Sequence, residues 1–226
     1  MPTSFAYLFL LGMACGIAFL PLSAYRRVSP PWLKWLLMAT GLFTMSRYLT
    51  MALFTSPDAP QRFWALRHAW FASSLGLTLP SAFAIDQLLR HPAMTPKKLL
   101  GWVSPFVLVW AAAMLFGRFT TRPDRVIGWT VHLDPVWRGV LSGAHGLYSA
   151  GIIGVGVALS LRLPSRPIRV ALIGLACAHA YLLFDGFLLL AGVWYFRPFF
   201  FSELLTLVAI WHAYETSADL QRSPNT

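Results

Sequence analysis

Apolar residues dominate this chain in seven long runs, each interrupted by short polar or proline-containing stretches. The runs cover approximately 4–24, 32–54, 63–89, 98–116, 137–161, 168–192 and 198–216. Each is near the ~20 residues that an α-helix needs to cross ~30 Å of hydrocarbon. Breakers fall between them: Ser29-Pro30-Pro31, Ser56-Pro57-Asp58-Ala59-Pro60, His91-Pro92 with Pro96, and Pro164 with Pro167. The pattern predicts an all-α polytopic membrane protein, a single seven-helix bundle over residues 1–216 with a short polar tail at 217–226. Pro80 and Pro105 are expected to kink their helices.

The longest connection, 117–136, offers two outcomes. Thr120-Thr121-Arg122-Pro123-Asp124-Arg125 reads as a turn, and Val126 to Val131 has the residues for a short hairpin over the bundle mouth. A plain solvated loop fits equally well. The fifth run is rich in small residues, with Gly139, Gly143, Gly146, Ala150, Gly154 and Ala158 at helical spacing. Such a stripe allows backbones to approach closely, and packing within the bundle is the first expectation, a dimer interface the second.

Composition sharpens the class. The chain is 57% hydrophobic and only 12% charged, about half the charge of a soluble domain, which points to an integral membrane protein. The net charge of +10 reflects topology signals and lipid contacts rather than nucleic-acid binding, because most Lys and Arg lie in short connections. One set of alternating connections carries Arg26, Arg27, Lys34, Arg90, Lys97, Lys98, Arg162, Arg166 and Arg169. The opposite set carries Arg62, Arg118, Arg122, Arg125, Arg138 and Arg197, diluted by Asp58, Asp124 and Asp134. The first set is therefore expected in the cytoplasm, with the N-terminus outside and the C-terminus inside. The first run lacks a basic leader and an A-x-A cleavage site, so it reads as a retained helix. Cys15 and Cys177 both lie in apolar runs and read as buried thiols.

Candidate chemistry is confined to polar residues inside the apolar runs. Arg47, His145, Asp185 and Glu203 each fall roughly a third of the way in from the same end of a span, and charge in hydrocarbon normally faces a bundle interior and pairs, or marks a binding site. Four helices contributing one residue each suggest a polar chamber in the outer half, to which Tyr48 and Tyr148 are sequence neighbours. Either Asp185 or Glu203 suits Arg47, as a structural ion pair or as a group that binds a ligand or a proton. His145 and Tyr148 share a helical face, and flanking glycines leave room around the ring. A histidine hydrogen-bonded across helices is the default there. Arg67 and His68 either rim the chamber or anchor the interface beside Trp64 and Trp70. Asp86, His212 and Glu215 form a second, inner layer of solvated helix ends, with His179 between the two layers.

Several chemistries are disfavoured. His145, His179 and His212 lie at different depths, which argues against an axial haem pair, and the three lysines at helix ends exclude a retinal Schiff base. No cysteine–histidine cluster has metal-site spacing, and no HExxH, GxSxG, Walker or kinase signature occurs. No cofactor or metal is expected.

In layout the chain resembles the N-terminal seven-helix sensor region of bacterial histidine kinases and diguanylate cyclases. The resemblance runs over residues 1–216 and rests on Tyr25-Arg26-Arg27 leaving the first helix, Phe63-Trp64-Ala65-Leu66-Arg67 entering the third, Pro80 with Asp86 to Arg90 leaving it, and Asp134-Pro135-Val136-Trp137 leading to His145 and Tyr148. It implies a non-enzymatic receptor of the bacterial cytoplasmic membrane that takes a small ligand in its outer half. The sequence carries no output domain after the seventh run, so signalling is expected through a cytoplasmic or membrane protein partner. A small proton-coupled permease and an accessory subunit of a membrane complex are the alternatives; a lipid-modifying enzyme using Asp185, Glu203 and His145 is a further one. For the permease no inverted repeat is evident between the halves. The aromatic stretches Trp194-Tyr195-Phe196 and Phe199-Phe200-Phe201 are the surfaces that a complex would use.

Overall fold

The computed structural model describes residues 2–24, 30–90, 95–124, 128–193 and 199–222. The Tyr25-Arg26-Arg27, His91-Pro92, Arg125 to Ile127 and Trp194-Tyr195-Phe196 stretches lie outside them. In chain order the elements are α1 (Pro2–Ser23), α2 (Pro31–Leu53), α3 (Ala59–Arg62), a 3-10 helix (Trp64–Phe71), α4 (Ala72–Leu89), α5 (Pro96–Phe116), β1 (Phe119–Asp124), β2 (Gly128–Leu133), α6 (Pro135–Arg162), α7 (Arg166–Leu190) and α8 (Phe200–Arg222).

Proline starts many of these helices for one reason: its fixed φ suits the first turn, where its missing N–H would go unused anyway. Pro31, Pro96 and Pro135 all occupy that position. Asp134 caps α6 by accepting the Trp137 N–H at 3.2 Å, and Thr95 does the same for α5 through Lys98. Pro21, Pro80 and Pro105 sit within helices that continue through them.

Five helices, α1, α2, α5, α6 and α7, are long and apolar enough to cross a membrane. The exceptions α4 and α8 fall short for a physical reason. α4 is the centre of the bundle, packing against α2, α5, α6, α7 and α8. All its residues except Ser74, Leu75, Asp86 and Leu89 are buried. A helix shielded from lipid on every side can carry serine, threonine and glutamine where a peripheral one cannot. Polar side chains elsewhere satisfy themselves locally: Thr44 Oγ1 donates to the Thr40 carbonyl at 2.9 Å, and Thr40 Oγ1 to that of Leu36 at 2.9 Å.

Contacts between the helices fix their directions. Ser73 meets Glu203, Tyr214 donates to the Pro80 carbonyl, and Ser217 donates to that of Gln87. The partners rise together in number, so α4 and α8 run parallel. α2 runs opposite to α4, with Arg47 against Trp70 and the Thr40–Thr44 turn against Gly76. A Cβ on Gly76 would lie 1.7 Å from Thr44 Oγ1, so only glycine lets these two backbones approach this closely.

Several expectations are revised. The third apolar run, 63–89, is not one helix: a 3-10 segment over Trp64–Phe71 occupies its start and α4 the rest. Residues 217–222 are not a solvated tail but the last turns of α8, with Ser217 and Ala218 buried against its neighbours. The 117–136 connection forms the hairpin, in which Phe119 pairs with Leu133 and Asp124 with Gly128. The hairpin docks by Trp129, whose backbone N–H donates to the Phe54 carbonyl at 2.9 Å and whose indole donates to that of Pro57 at 3.0 Å. Cys177 is exposed and Cys15 half-buried, so neither thiol is a core residue. Gly139, Gly143 and Gly154 have nothing within 4 Å of a Cβ position, so that stripe faces away from the bundle. Gly156, one turn round, is the α6 glycine that packs closely, 3.1 Å from the Leu172 carbonyl.

Candidate functional site

Arg47 lies on the last turns of α2 and Glu203 in the first turn of α8, where the helix N-terminus favours a carboxylate. They form a bidentate pair: Arg47 Nε donates to Glu203 Oε2 at 3.1 Å, and Arg47 Nη2 lies 2.9 Å from Oε1. The third guanidinium nitrogen, Nη1, donates to the carbonyl of Trp70, in the 3-10 segment. Tyr48 donates its hydroxyl to Oε2 at 3.1 Å, and Ser73 at the start of α4 donates to Oε1 at 2.8 Å. Both charges are buried, with Arg47 7% and Glu203 3% exposed.

The stoichiometry matters. A carboxylate has about four acceptor positions. Glu203 uses two on each oxygen, for Arg47, Tyr48 and Ser73. With these positions filled, a ligand reaches the carboxylate only where one of the bonds opens. The cluster is thus a closed polar lock across α2, α4 and α8.

The other candidate residues stand apart from it. Asp185 on α7 accepts the Ser202 hydroxyl at 2.5 Å, one residue before Glu203 along α8, and makes no ion pair with Arg47. Phe199, immediately before α8, has a left-handed backbone with φ of 65° and lays its ring against Gly186. His145 on α6 faces the ring of Phe106 at 5.9 Å, and its Nε2 is buried with no hydrogen-bond partner among the described residues. The cross-helix bond expected of it is made instead by His179, fully buried between Ser81 of α4 at 2.9 Å and Ser149 of α6 at 3.2 Å. Tyr148 donates to the Trp102 carbonyl and packs on Phe106. Arg67 donates to the Trp64 carbonyl at 3.0 Å and stacks over the rings of Trp64 and Phe119, while His68 meets Phe119 edge-on at 5.0 Å. Both therefore belong to the contact between the 3-10 segment and the hairpin.

Among the described residues these groups fall into separate contacts rather than one cluster. Of the two cavities described, one is a gap of about 10 Å³ beside Gly41, Gly76 and Pro80, room for about one water. The other is a surface groove at Arg118 and Trp137. Of the residues at the other end, His212 is exposed and Asp86 and Glu215 are half-buried. Sequence reading overlooked Ser73, Ser81, Ser149 and Ser202, the hydroxyls that satisfy Glu203, His179 and Asp185. A serine in an apolar run is too common a signal to select, although Ser149 lies one turn beyond His145 and so on the same face of α6. Among the described residues no cluster of His, Cys, Asp and Glu is arranged to hold a metal ion. Compared with known proteins, the chain matches no protein-family model and no curated protein.

Proposed function

We propose that this is a seven-helix membrane protein, N-terminus outside and C-terminus in the cytoplasm of a bacterial inner membrane, acting as a non-enzymatic sensor or regulator. The observation that carries the reading is the Arg47–Glu203 lock, which ties α2, α4 and α8 together at the outer end of the bundle. α4 and α8 then run side by side to the other end, joined again at Pro80–Tyr214 and Gln87–Ser217. A stimulus that opens the lock would move α8 relative to α2, and the inner end of α8 would report it to a partner protein. The resemblance in layout to kinase and cyclase sensor regions supports the same scheme. So does the weight of nine basic residues on the proposed cytoplasmic connections.

An effector shifts such an equilibrium only by binding the open state better than the closed one. Because Glu203 is saturated, the effector has to offer Arg47 a replacement anion or Glu203 a replacement cation. The test is purification from native membranes in mild detergent, with mass spectrometry of co-purifying chains, for wild type and Glu203→Gln. A signalling protein recovered with wild type, in an amount that changes in the variant, is expected. Proton or solute flux by the purified protein in liposomes, with no partner recovered, would overturn the reading in favour of a permease.

A further inference from the structure

The groove at the junction of α5, β1 and α6 has a volume of about 380 Å³ and is lined by Phe116, Arg118, Asp134, Val136 and Trp137. Its base is rigid. Arg118 N–H donates to Asp134 Oδ2 at 2.9 Å, and Asp134 N–H returns a bond to the Arg118 carbonyl at 2.9 Å. A Cβ on Gly117 would lie 2.3 Å from the Ala113 carbonyl, so the chain leaves α5 by a path that only glycine fits. Phe116 and Trp137 stack across the floor, 6.4 Å apart at 25°.

Three chemistries meet here in a fixed order. Phe116 and Val136, each 71% exposed, form an apolar shelf at the ends of two helices long enough to span a membrane. Above the shelf sits the exposed guanidinium of Arg118, in none of the ion pairs among the described residues. Beside it is the Asp134 carboxylate, whose oxygens accept backbone N–H groups and still have free acceptor positions. Alternation along β1 places Arg122 on the Arg118 side of the strand.

We propose that this groove is a binding site for one phosphatidylethanolamine, with its phosphate on Arg118, its ammonium on Asp134 and an acyl chain on the Phe116–Val136 shelf. A cation and an anion side by side match a zwitterionic headgroup. A quaternary ammonium has no N–H for Asp134, and an anionic glycerol headgroup offers it no cation. Backbone donation from Arg118, foremost, and from Trp137 holds the Asp134 carboxyl below the usual range, so it is charged at neutral pH. Soluble phosphoethanolamine would leave the shelf uncovered, and a lipid covers it.

Native mass spectrometry of the full chain, given an equimolar mixture of phosphatidylethanolamine, phosphatidylcholine and phosphatidylglycerol with the same acyl chains, tests the proposal. Wild type is expected to retain one phosphatidylethanolamine in preference, and Arg118→Ala to lower that retention about fivefold, the scale of one exposed charged contact. Asp134→Asn removes the charge and one of the two backbone N–H acceptors, so it is compared with wild type at unchanged melting temperature. It is expected to retain phosphatidylethanolamine and phosphatidylcholine equally. Quenching of tryptophan fluorescence by brominated acyl chains gives a second readout as the part lost on Trp137→Phe, since the chain has ten tryptophans, compared between wild type and Arg118→Ala at unchanged melting temperature. Equal retention of the three lipids by wild type, or unchanged preference in both variants, overturns the site.

Discussion

Arg47 and Glu203 illustrate how cost and geometry together set the worth of one buried pair. Moving two charges out of water costs several kcal/mol each, and the pair is tolerable only when every donor and acceptor is used. The carboxylate meets it, because Glu203 receives four bonds, and each of the three Arg47 nitrogens donates one. Arg47→Ala is therefore expected to destabilise the protein by about 3–5 kcal/mol, since it leaves a carboxylate buried and unpaired. Ser73→Ala removes one of four bonds and is expected to cost about 1–2 kcal/mol. Thermal unfolding in detergent separates the two. Combining Arg47→Met with Glu203→Gln should cost less than the sum of the single changes, because each single variant alone strands its partner; additive losses would deny the coupling.

At the scale of elements, close approach and capping make testable demands. Gly76→Ala places a methyl group within 1.7 Å of Thr44 Oγ1, so α2 and α4 must separate, and a loss of about 1–3 kcal/mol is expected for such overpacking. Gly143→Ala meets nothing within 4 Å and is expected to be neutral or slightly stabilising, as the better helix former. The contrast, read as melting temperatures, distinguishes the glycine that holds two helices from one that faces outward. The hairpin has its own pH dependence. The Asp134 carboxyl is held low in the folded protein, chiefly by the Arg118 N–H. Its contribution is present above the unfolded value of about 3.9 and is lost as pH falls through the lower folded value. The protection factor of the Arg118 amide, its exchange corrected for the intrinsic pH dependence, is thus expected to fall below about pH 4 in wild type. In Asp134→Asn it should lack that dependence.

At the scale of the whole molecule, the antiparallel α2–α4 and parallel α4–α8 contacts place the hairpin, the 3-10 segment and the start of α8 at one end. The proposed orientation puts that end outside. A single cysteine at Thr121, in a background lacking Cys15 and Cys177, is expected to react with a membrane-impermeant maleimide on intact cells. A cysteine at Lys98 is expected to react only after permeabilisation. The reverse pattern would invert the topology, and with it the direction of signalling proposed for α8.

The sequence alone determined the class of molecule and most helix limits, because apolar length, prolines and flanking charge are local properties. It also narrowed the polar chemistry to a few residues, since any charge within an apolar run stands out against its neighbours. Tertiary structure decided which of them meet, because the rotation of each helix about its axis is set by packing and not by its own residues. Hence Glu203, and not Asp185, answers Arg47, and His179, and not His145, bridges the helices. The same dependence on neighbours turned Gly139, Gly143 and Gly154 outward and broke the third run before α4, the helix whose polar residues are tolerated only because other helices surround it.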